Sequence, residues 1–321
     1  MRARLVTLLG FVIAVTAIAL TGHVIHLQYR LPVIREKLTP KLSSYLGVYE
    51  PGSPPSFQPV AQFGAMAGRP PNLVEYYSGW AEPFDISFAD MMHRHGIIPF
   101  VQIDPLFASM SAIASGAYDD YLRSYAQSVR NFAHPVVIGF GHEMNGTWYP
   151  WGYHHVSPQT FVAAWRHIVS LFAEQGAQNV TWLWTINQDR RGTGPIESWW
   201  PGGRYVTWVG IDGYYLRPTD RFGRVFGSTI RQVRTFTRKP VLLSETAVGR
   251  QSNPFAEIPD LFAGMHQYQT LGLVWFDADQ SGDILHQDWR LEGDAPAEAA
   301  FRLGVSRTMG PLVTAARTSG G

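Results

Sequence analysis

From residue 44 onward the sequence alternates, eight times over, between short apolar runs and longer stretches with helical periodicity. The runs are YLGVYE (45–50), LVEYY (73–77), IIPFVQID (97–104), VVIGFGHE (136–143), VTWLWTIN (180–187), VTWVGIDGYY (206–215), VLLSETAV (241–248) and GLVWFDAD (272–279). Between them lie DISFADMMHRH, YDDYLRSYAQSVRNF, SPQTFVAAWRHIVSLFAEQ, GSTIRQVRTFT and AEIPDLFAGMHQYQT, and DAPAEAAFRLGVSRTMGPLVTAA closes the series. Several of these open on Asp, Ser or Ser-Pro, which cap the free N–H groups of a first helical turn. A strand that is apolar nearly throughout must be covered on both faces, so the pattern predicts a parallel sheet wrapped by helices. Eight units fit a closed (β/α)₈ TIM barrel over residues 44–316 better than two doubly wound domains; an open α/β sheet is the competing architecture.

Composition narrows the partners. With 26 Lys+Arg against 25 Asp+Glu and 16% charged residues, the chain has neither the basic excess of a nucleic-acid binder nor the acidic excess of a solvating tail. The absence of cysteine excludes disulfides, thiolate metal sites and a cysteine nucleophile. Gly139 and Gly141 begin a dinucleotide-type glycine pattern, but Met144 stands where its third glycine is needed. The unusual feature is 11 Trp, which can serve as core, interface or stacking platform for a flat ligand.

The first residues read as an export address. Arg2 and Arg4 precede an apolar run from Leu5 to Leu20, with weaker apolar character to Leu27. Cleavage after Ala19 would make it a signal peptide. Retained to Leu27, it is about 23 residues and roughly 34 Å of helix, enough to anchor the chain in a bilayer, and we favour the anchor. Either way the bulk of the chain lies outside the cytoplasm. Residues 28–43 read as a basic stalk and 317–321 as a disordered tail.

In a barrel of this kind the chemistry sits at the C-terminal ends of the strands. Those ends supply Glu50, Asp104, His142 with Glu143, Asn187, Asp212 with Tyr214, Glu245, and Trp275 with Asp277. Polar groups converging on one mouth predict a site for a polar substrate. Two of them, Glu143 and Glu245, suit glycosidic hydrolysis, which needs one protonated and one ionised carboxyl across the sugar, about 5–5.5 Å apart for retention of configuration. A lone Glu at a strand end is more simply a surface ion pair; the two together, with suitable neighbours, favour catalysis. Tyr214 can hydrogen-bond Glu245, His142 can orient the substrate or the acid, and Trp148 and Trp275 can wall the site and raise the pKa of Glu143.

The same residues carry a family resemblance. GFGHEMNGTWYPWG (139–152) resembles the acid/base region of glycoside hydrolase family 26, where a His-Glu pair ends strand four and Asn-Gly-x-Trp follows. VGIDGYY (209–215) is similar to its strand-six Asp-x-Tyr, LLSETAVG (242–249) to its nucleophile strand, and VWFD (274–277) to its strand-eight Trp. The resemblance spans about 44–316 and implies a (β/α)₈ barrel that hydrolyses β-linked polysaccharides internally, with retention. It implies Glu143 as acid/base, Glu245 as nucleophile, and His142, Trp148, Tyr214 and Trp275 around the sugar beside the cleaved bond. Trp151, Asp212, Asn187 and Asp104 are expected to contact the substrate as well. No metal or cofactor is implied, and the enzyme is expected to be a monomer.

Two departures bear on substrate. The segment after the acid/base reads Trp148-Tyr149-Pro150-Trp151-Gly152, less aromatic than in many mannan-hydrolysing members, and strand three offers Gln102 and Asp104 where those place a His. We expect β-1,4-mannan first, mixed-linkage β-1,3-1,4-glucan next, and β-1,3-xylan as a further family substrate. A non-catalytic glycan-binding protein at the envelope is the rival from another class. A retained anchor would also suit trimming of a polysaccharide that the cell itself makes.

Other residues have blander readings. Trp182 and Trp184 share a strand face and, like Trp208, are expected in the core, while Trp199, Trp200 and Trp80 are equally suited to core and sugar platform. His93, His95, His154 and His155 read as solvated rather than ligating. Asn145-Gly-Thr147 and Asn179-Val-Thr181 match the glycosylation pattern, but a glycan on Asn145 would block the proposed site.

Overall fold

The computed structural model describes residues 38–190, 192–282 and 286–314. Each apolar run forms one strand: β1 (Tyr45–Tyr49), β2 (Leu73–Gly79), β3 (Ile98–Asp104), β4 (Val136–Phe140), β5 (Val180–Asn187), β6 (Trp208–Tyr215), β7 (Val241–Val248) and β8 (Gly272–Phe276). Neighbours in sequence pair in parallel, and β1 pairs with β8 to close the barrel. The expected (β/α)₈ architecture is therefore the observed one. The expected anchor or signal (1–27) and tail (317–321) lie outside the described residues. Among those described, no helix is long and apolar enough to cross a membrane.

The expected helices are α2 (Ile86–Arg94), α4 (Asp119–Phe132), α5 (Pro158–Glu174), α6 (Ser228–Phe236), α7 (Pro254–Gln267) and α8 (Ala295–Thr308). The Asp and Ser caps act as anticipated: Asp85 accepts the Phe88 N–H (2.9 Å), Ser157 the Thr160 N–H (3.1 Å) and Asp294 the Ala297 N–H (3.1 Å). Two helices were not anticipated, α1 (Gln58–Ala67) and the single-turn α3 (Met110–Ala114). Helix α1 buries Val60, Phe63, Gly64 and Ala67, an i, i+3, i+4, i+7 face. Its small residues and the prolines before it disguised that period.

The barrel interior is layered. At its base, one apolar cluster joins Leu38, Tyr45, Leu73, Phe100, Val137, Leu183, Trp208, Leu242 and Val274. Leu38 and Thr39, read from sequence as stalk, belong to this base: Leu38 is buried and Tyr45 donates to the Thr39 carbonyl (2.6 Å). The middle of the barrel is polar, with Glu75, Gln102, Thr185, Asp212 and Ser244 all buried. Outside the sheet, a larger apolar cluster packs the strands' other faces against the helices and takes in Trp165, Trp182, Trp184, Trp199, Trp275 and Trp289.

One irregularity positions the site. Along β7, Leu242 faces the barrel interior and Leu243 the outer cluster. Simple alternation would therefore send Glu245 outward with Leu243. The register shifts instead: Gly210 pairs with Leu242 but Asp212 with Glu245, and Leu243 pairs with Leu273 but Thr246 with Trp275. Strand β7 thus carries one residue more than either neighbour over this interval, a β-bulge, and the extra residue turns Glu245 into the mouth.

Candidate active site

Glu143 reaches the same mouth by a different local device. Strand β4 ends at Phe140, and Gly141 (φ +54°) and Glu143 (φ +53°) both take left-handed backbone. That conformation is ordinary for glycine but costs about 1 kcal/mol or more for glutamate, and such outliers concentrate at functional sites. The turn is held by the Glu143 N–H donating to the Thr185 carbonyl (3.0 Å) and by Asn145, which clamps β5 from both sides. The Asn145 side chain donates to the Asn187 carbonyl (2.9 Å) and accepts its N–H (2.8 Å). Asn145 and Asn179 are both buried, with side-chain amides bonded to backbone, so neither glycosylation-type triplet presents a free asparagine. Gly146 leaves room for a ring to fold back, since a Cβ there would come within 2.3 Å of Trp148.

The two carboxyls have contrasting partners. Glu245 accepts the phenolic hydroxyls of Tyr77 and of Tyr214 (2.6 Å), one on each oxygen. Two donors and no nearby acceptor suit a carboxylate, which is acceptor-only when ionised. Glu143 accepts the Trp148 indole N–H (2.6 Å) and the Asn187 amide. Burial, and next the Glu245 charge, push the Glu143 carboxyl above its usual range, while His142, Asn187 and Trp148 oppose the shift. The pair therefore has the asymmetry that acid and nucleophile need.

His142 sits between them and strand three. Its Nδ1 lies 3.0 Å from Asp104 and its Nε2 3.0 Å from the Tyr149 hydroxyl. Burial alone would discharge it, but Asp104, Glu245 and Glu143 outweigh burial and push it up to about 9. At neutral pH it is then an imidazolium donating from both nitrogens. Below the floor, burial and next the Glu245 charge push the Glu75 and Asp212 carboxyls well above the usual carboxylate range.

A cavity of about 610 Å³ lies over the two glutamates. Its wall includes the expected Asp104, Glu143, Trp148, Asn187, Tyr214 and Glu245. His142 lies immediately behind it, bonded to Asp104 and Tyr149. Three expected contacts are corrected. Trp275 is fully buried on the outer face of β8, packing on Phe301 of α8 with centroids 5.0 Å apart; strand parity brings Phe276 to the cavity in its place. Trp151 lies beneath Tyr149, stacked at 4.4 Å, and donates to the His142 carbonyl (2.8 Å), so it supports the site without facing it. Asp212 is buried below, accepting the Ser244 hydroxyl (2.6 Å). Gln102 is likewise buried, leaving Asp104 as the strand-three group at the cavity. Trp199, weighed as a sugar platform, is buried, and Trp200 packs on Trp184 (5.1 Å).

Sequence reasoning missed Tyr49, Tyr77, Tyr149, Arg190 and Phe276 in this wall. Tyr77 is findable: it ends the run LVEYY two residues beyond the inward Glu75, so alternation aims it at the mouth. Arg190, whose guanidinium stands 5.0 Å from the Trp148 ring centroid, comes from a loop with no such period.

The Asn145 clamp carries a prediction. Asn145→Ala leaves a buried N–H and carbonyl of Asn187 unpartnered, and is expected to lower stability by about 2–3 kcal/mol in chemical denaturation. It should also reduce turnover, because the Asn187 amide would no longer be held on Glu143.

The chain is similar to known proteins in sequence and in fold. The sequence model of glycosyl hydrolase family 26 matches residues 105–285. Endoglucanase H of Acetivibrio thermocellus is 28% identical over 269 residues, covering 78% of this chain and 29% of that protein. Mannan endo-1,4-beta-mannosidase A and B of Caldalkalibacillus mannanilyticus is 30% identical over 94 residues, covering 26% of this chain and 18% of that protein. The chain thus spans less than a third of the length of these relatives. Among solved structures, a Cellulomonas fimi endo-beta-1,4-mannanase double mutant superimposes with a TM-score of 0.66 at 17% identity, over 86% of this chain and 73% of that one.

Proposed function

This chain belongs to glycosyl hydrolase family 26, and we propose that it cuts internal β-linkages of a polysaccharide with retention of configuration, using Glu143 as acid/base and Glu245 as nucleophile. The observation that carries this reading is the contrast between the two carboxyls: two tyrosine hydroxyls on Glu245, and a raised, buried carboxyl at Glu143. Protonated Glu143 gives its proton to the glycosidic oxygen while a Glu245 oxygen attacks the anomeric carbon. The C–O bond breaks, one chain leaves as an alcohol, and the other is held as a glycosyl ester. The Glu143 carboxylate then takes a proton from water as that water displaces Glu245. His142, held by Asp104 and Tyr149, sets the polarity beside Glu143, and Trp148 both bonds the acid and faces the cavity.

The first product is expected to be the β-anomer by NMR, before mutarotation; an α-anomer would overturn retention. Release of reducing ends separates hydrolysis from the rival glycan-binding role, which predicts binding without release. For the backbone, β-1,4-mannan follows from the family resemblance and from the partial match to a mannosidase. A β-glucan is the second reading, favoured by the endoglucanase match over 78% of the chain. A panel of mannan, mixed-linkage glucan, β-1,3-xylan and xylan, scored by kcat/KM and product size, decides between them. The arginine-flanked apolar run near the N-terminus supports placing this activity outside the cytoplasm.

A further inference from the structure

A second cavity of about 380 Å³ adjoins the catalytic one. The two share Arg190, Tyr214 and Leu216 in their walls, so they form one cleft that continues from the glutamates over the loops after β5 and β6. The two halves differ in chemistry. Around the glutamates the wall is aromatic, as stacking on sugar faces requires. In the extension Tyr214 is the one aromatic residue, and the wall adds Arg217 and Arg224 to the shared Arg190.

The acids of that wall are already engaged. Asp220 accepts the backbone N–H of Leu216 (2.9 Å) and of Arg217 (3.0 Å), and Asp189 accepts the Gln232 amide (2.9 Å). Arg224, itself solvent-exposed, makes a long ion pair with Asp220 at 3.9 Å. Among the described residues, the guanidiniums of Arg190 and Arg217 make no hydrogen bond or ion pair with a protein carboxylate; Arg190 rests on the Trp148 ring instead. A neutral sugar has no need of three guanidiniums beside an aromatic cleft. A guanidinium fork matches a carboxylate in shape and charge, and loses less hydration on pairing than an ammonium does.

We propose that this extension binds a carboxylate carried by the glycan, so that the preferred substrate is an acidic polysaccharide whose charged residue lies to one side of the cleaved bond. This deepens the hydrolase reading and rests on it. Arg190 is the link between the halves: the same side chain covers the Trp148 ring beside Glu143 and borders the extension, so a charged sugar held there is placed next to the acid.

The test uses full-length Glu245→Ala, which is expected to bind without turning over, and three probes from one β-glucan: unmodified, part-oxidised to C6 carboxylates, and sulfated to equal charge. The carboxylated probe is expected to bind about tenfold more tightly than the neutral one, the scale of one charge-assisted hydrogen bond in a wet cleft. That advantage should vanish at about 1 M salt, where screening acts within about 3 Å. It should also collapse to near unity in Arg217→Gln/Arg224→Gln on the same background, and survive in part in Arg217→Lys. Equal affinity for neutral and carboxylated probes overturns the proposal. Preference for the sulfated probe at equal charge overturns the carboxylate assignment. Reducing-end release from the panel by the wild-type enzyme tests hydrolysis separately, so failure there is distinguishable from failure here.

Discussion

Glu245→Ala is expected to abolish polysaccharide hydrolysis within the detection of a reducing-end assay, with the thermal unfolding midpoint close to wild type. Glu245, the proposed nucleophile, is on the wall of a cavity, and its removal frees the hydroxyls of Tyr77 and Tyr214 to meet water there. The other carboxyls near it are engaged or buried: Asp104 is bonded to His142, and Asp212, the nearest acid in register, is buried and accepts the Ser244 hydroxyl. Glu143→Gln is expected to lower kcat/KM by about 10²–10⁴-fold on natural glycans, the usual span for general acid–base catalysis. The two variants should part on an aryl glycoside whose leaving group needs no proton. There Glu143→Gln still forms the glycosyl-enzyme and shows a burst, whereas Glu245→Ala shows none. The raised carboxyl of Glu143 also sets a sign for pH dependence. The active form is protonated, so kcat/KM should fall as pH rises through that group's pKa, with the limb displaced to higher pH than an ordinary glutamate gives. A Glu143→Gln variant with near-wild-type turnover on polysaccharide would remove the residue from the mechanism.

The largest expected effect on stability comes from a residue far from the chemistry. Gly272 opens β8 at φ +154°, and a Cβ there would lie 1.8 Å from the Tyr45 carbonyl oxygen. Tyr45 and Gly272 are direct partners where β1 and β8 close the barrel. Both the backbone and the strand spacing must yield to admit alanine, and no flexible side chain can move aside. Gly272→Ala is expected to cost about 4 kcal/mol or more, in the range reserved for lesions of the core scaffold. Gly96→Ala is the matched control: its φ is also positive, +75°, but nothing lies within 4 Å of the added Cβ. It should cost only about 1 kcal/mol, the conformational penalty by itself. Comparable losses in the two variants, measured by denaturant titration, would show that the barrel closure tolerates a wider spacing at β1–β8.

Much of this molecule is legible in its sequence. Eight apolar runs punctuated by capped helical stretches left few folds available, since strands apolar on both faces demand helices on both sides. Because barrel chemistry collects at strand ends, Glu143, Glu245, Asn187, Tyr214 and Asp104 could be named from position alone, and all five line the cavity. Two misplacements had a correctable cause. Trp275 was chosen by residue type and family resemblance, whereas counting from the inward Val274 leads to Phe276. Helix α1 was hidden because glycine and alanine on its buried face weaken the apolar period.

Other features had no local signal. Alternation along VLLSETAV predicts Glu245 on the outer face, with Leu243; only the extra residue of β7 between its two neighbours turns it inward. A bulge is a property of a pairing, not of a strand, so it is written in no single segment. The same holds for the left-handed turn at Glu143, which depends on Thr185 and on the Asn145 clamp to β5, and for Arg190, Arg217 and Arg224, which come together through two loops. The sequence by itself determined which elements exist and which end of the barrel carries the polar groups, because periodicity and capping act within a few residues. The tertiary structure decided which way Glu143 and Glu245 point and what charge adjoins them, because those depend on contacts between strands far apart in the chain.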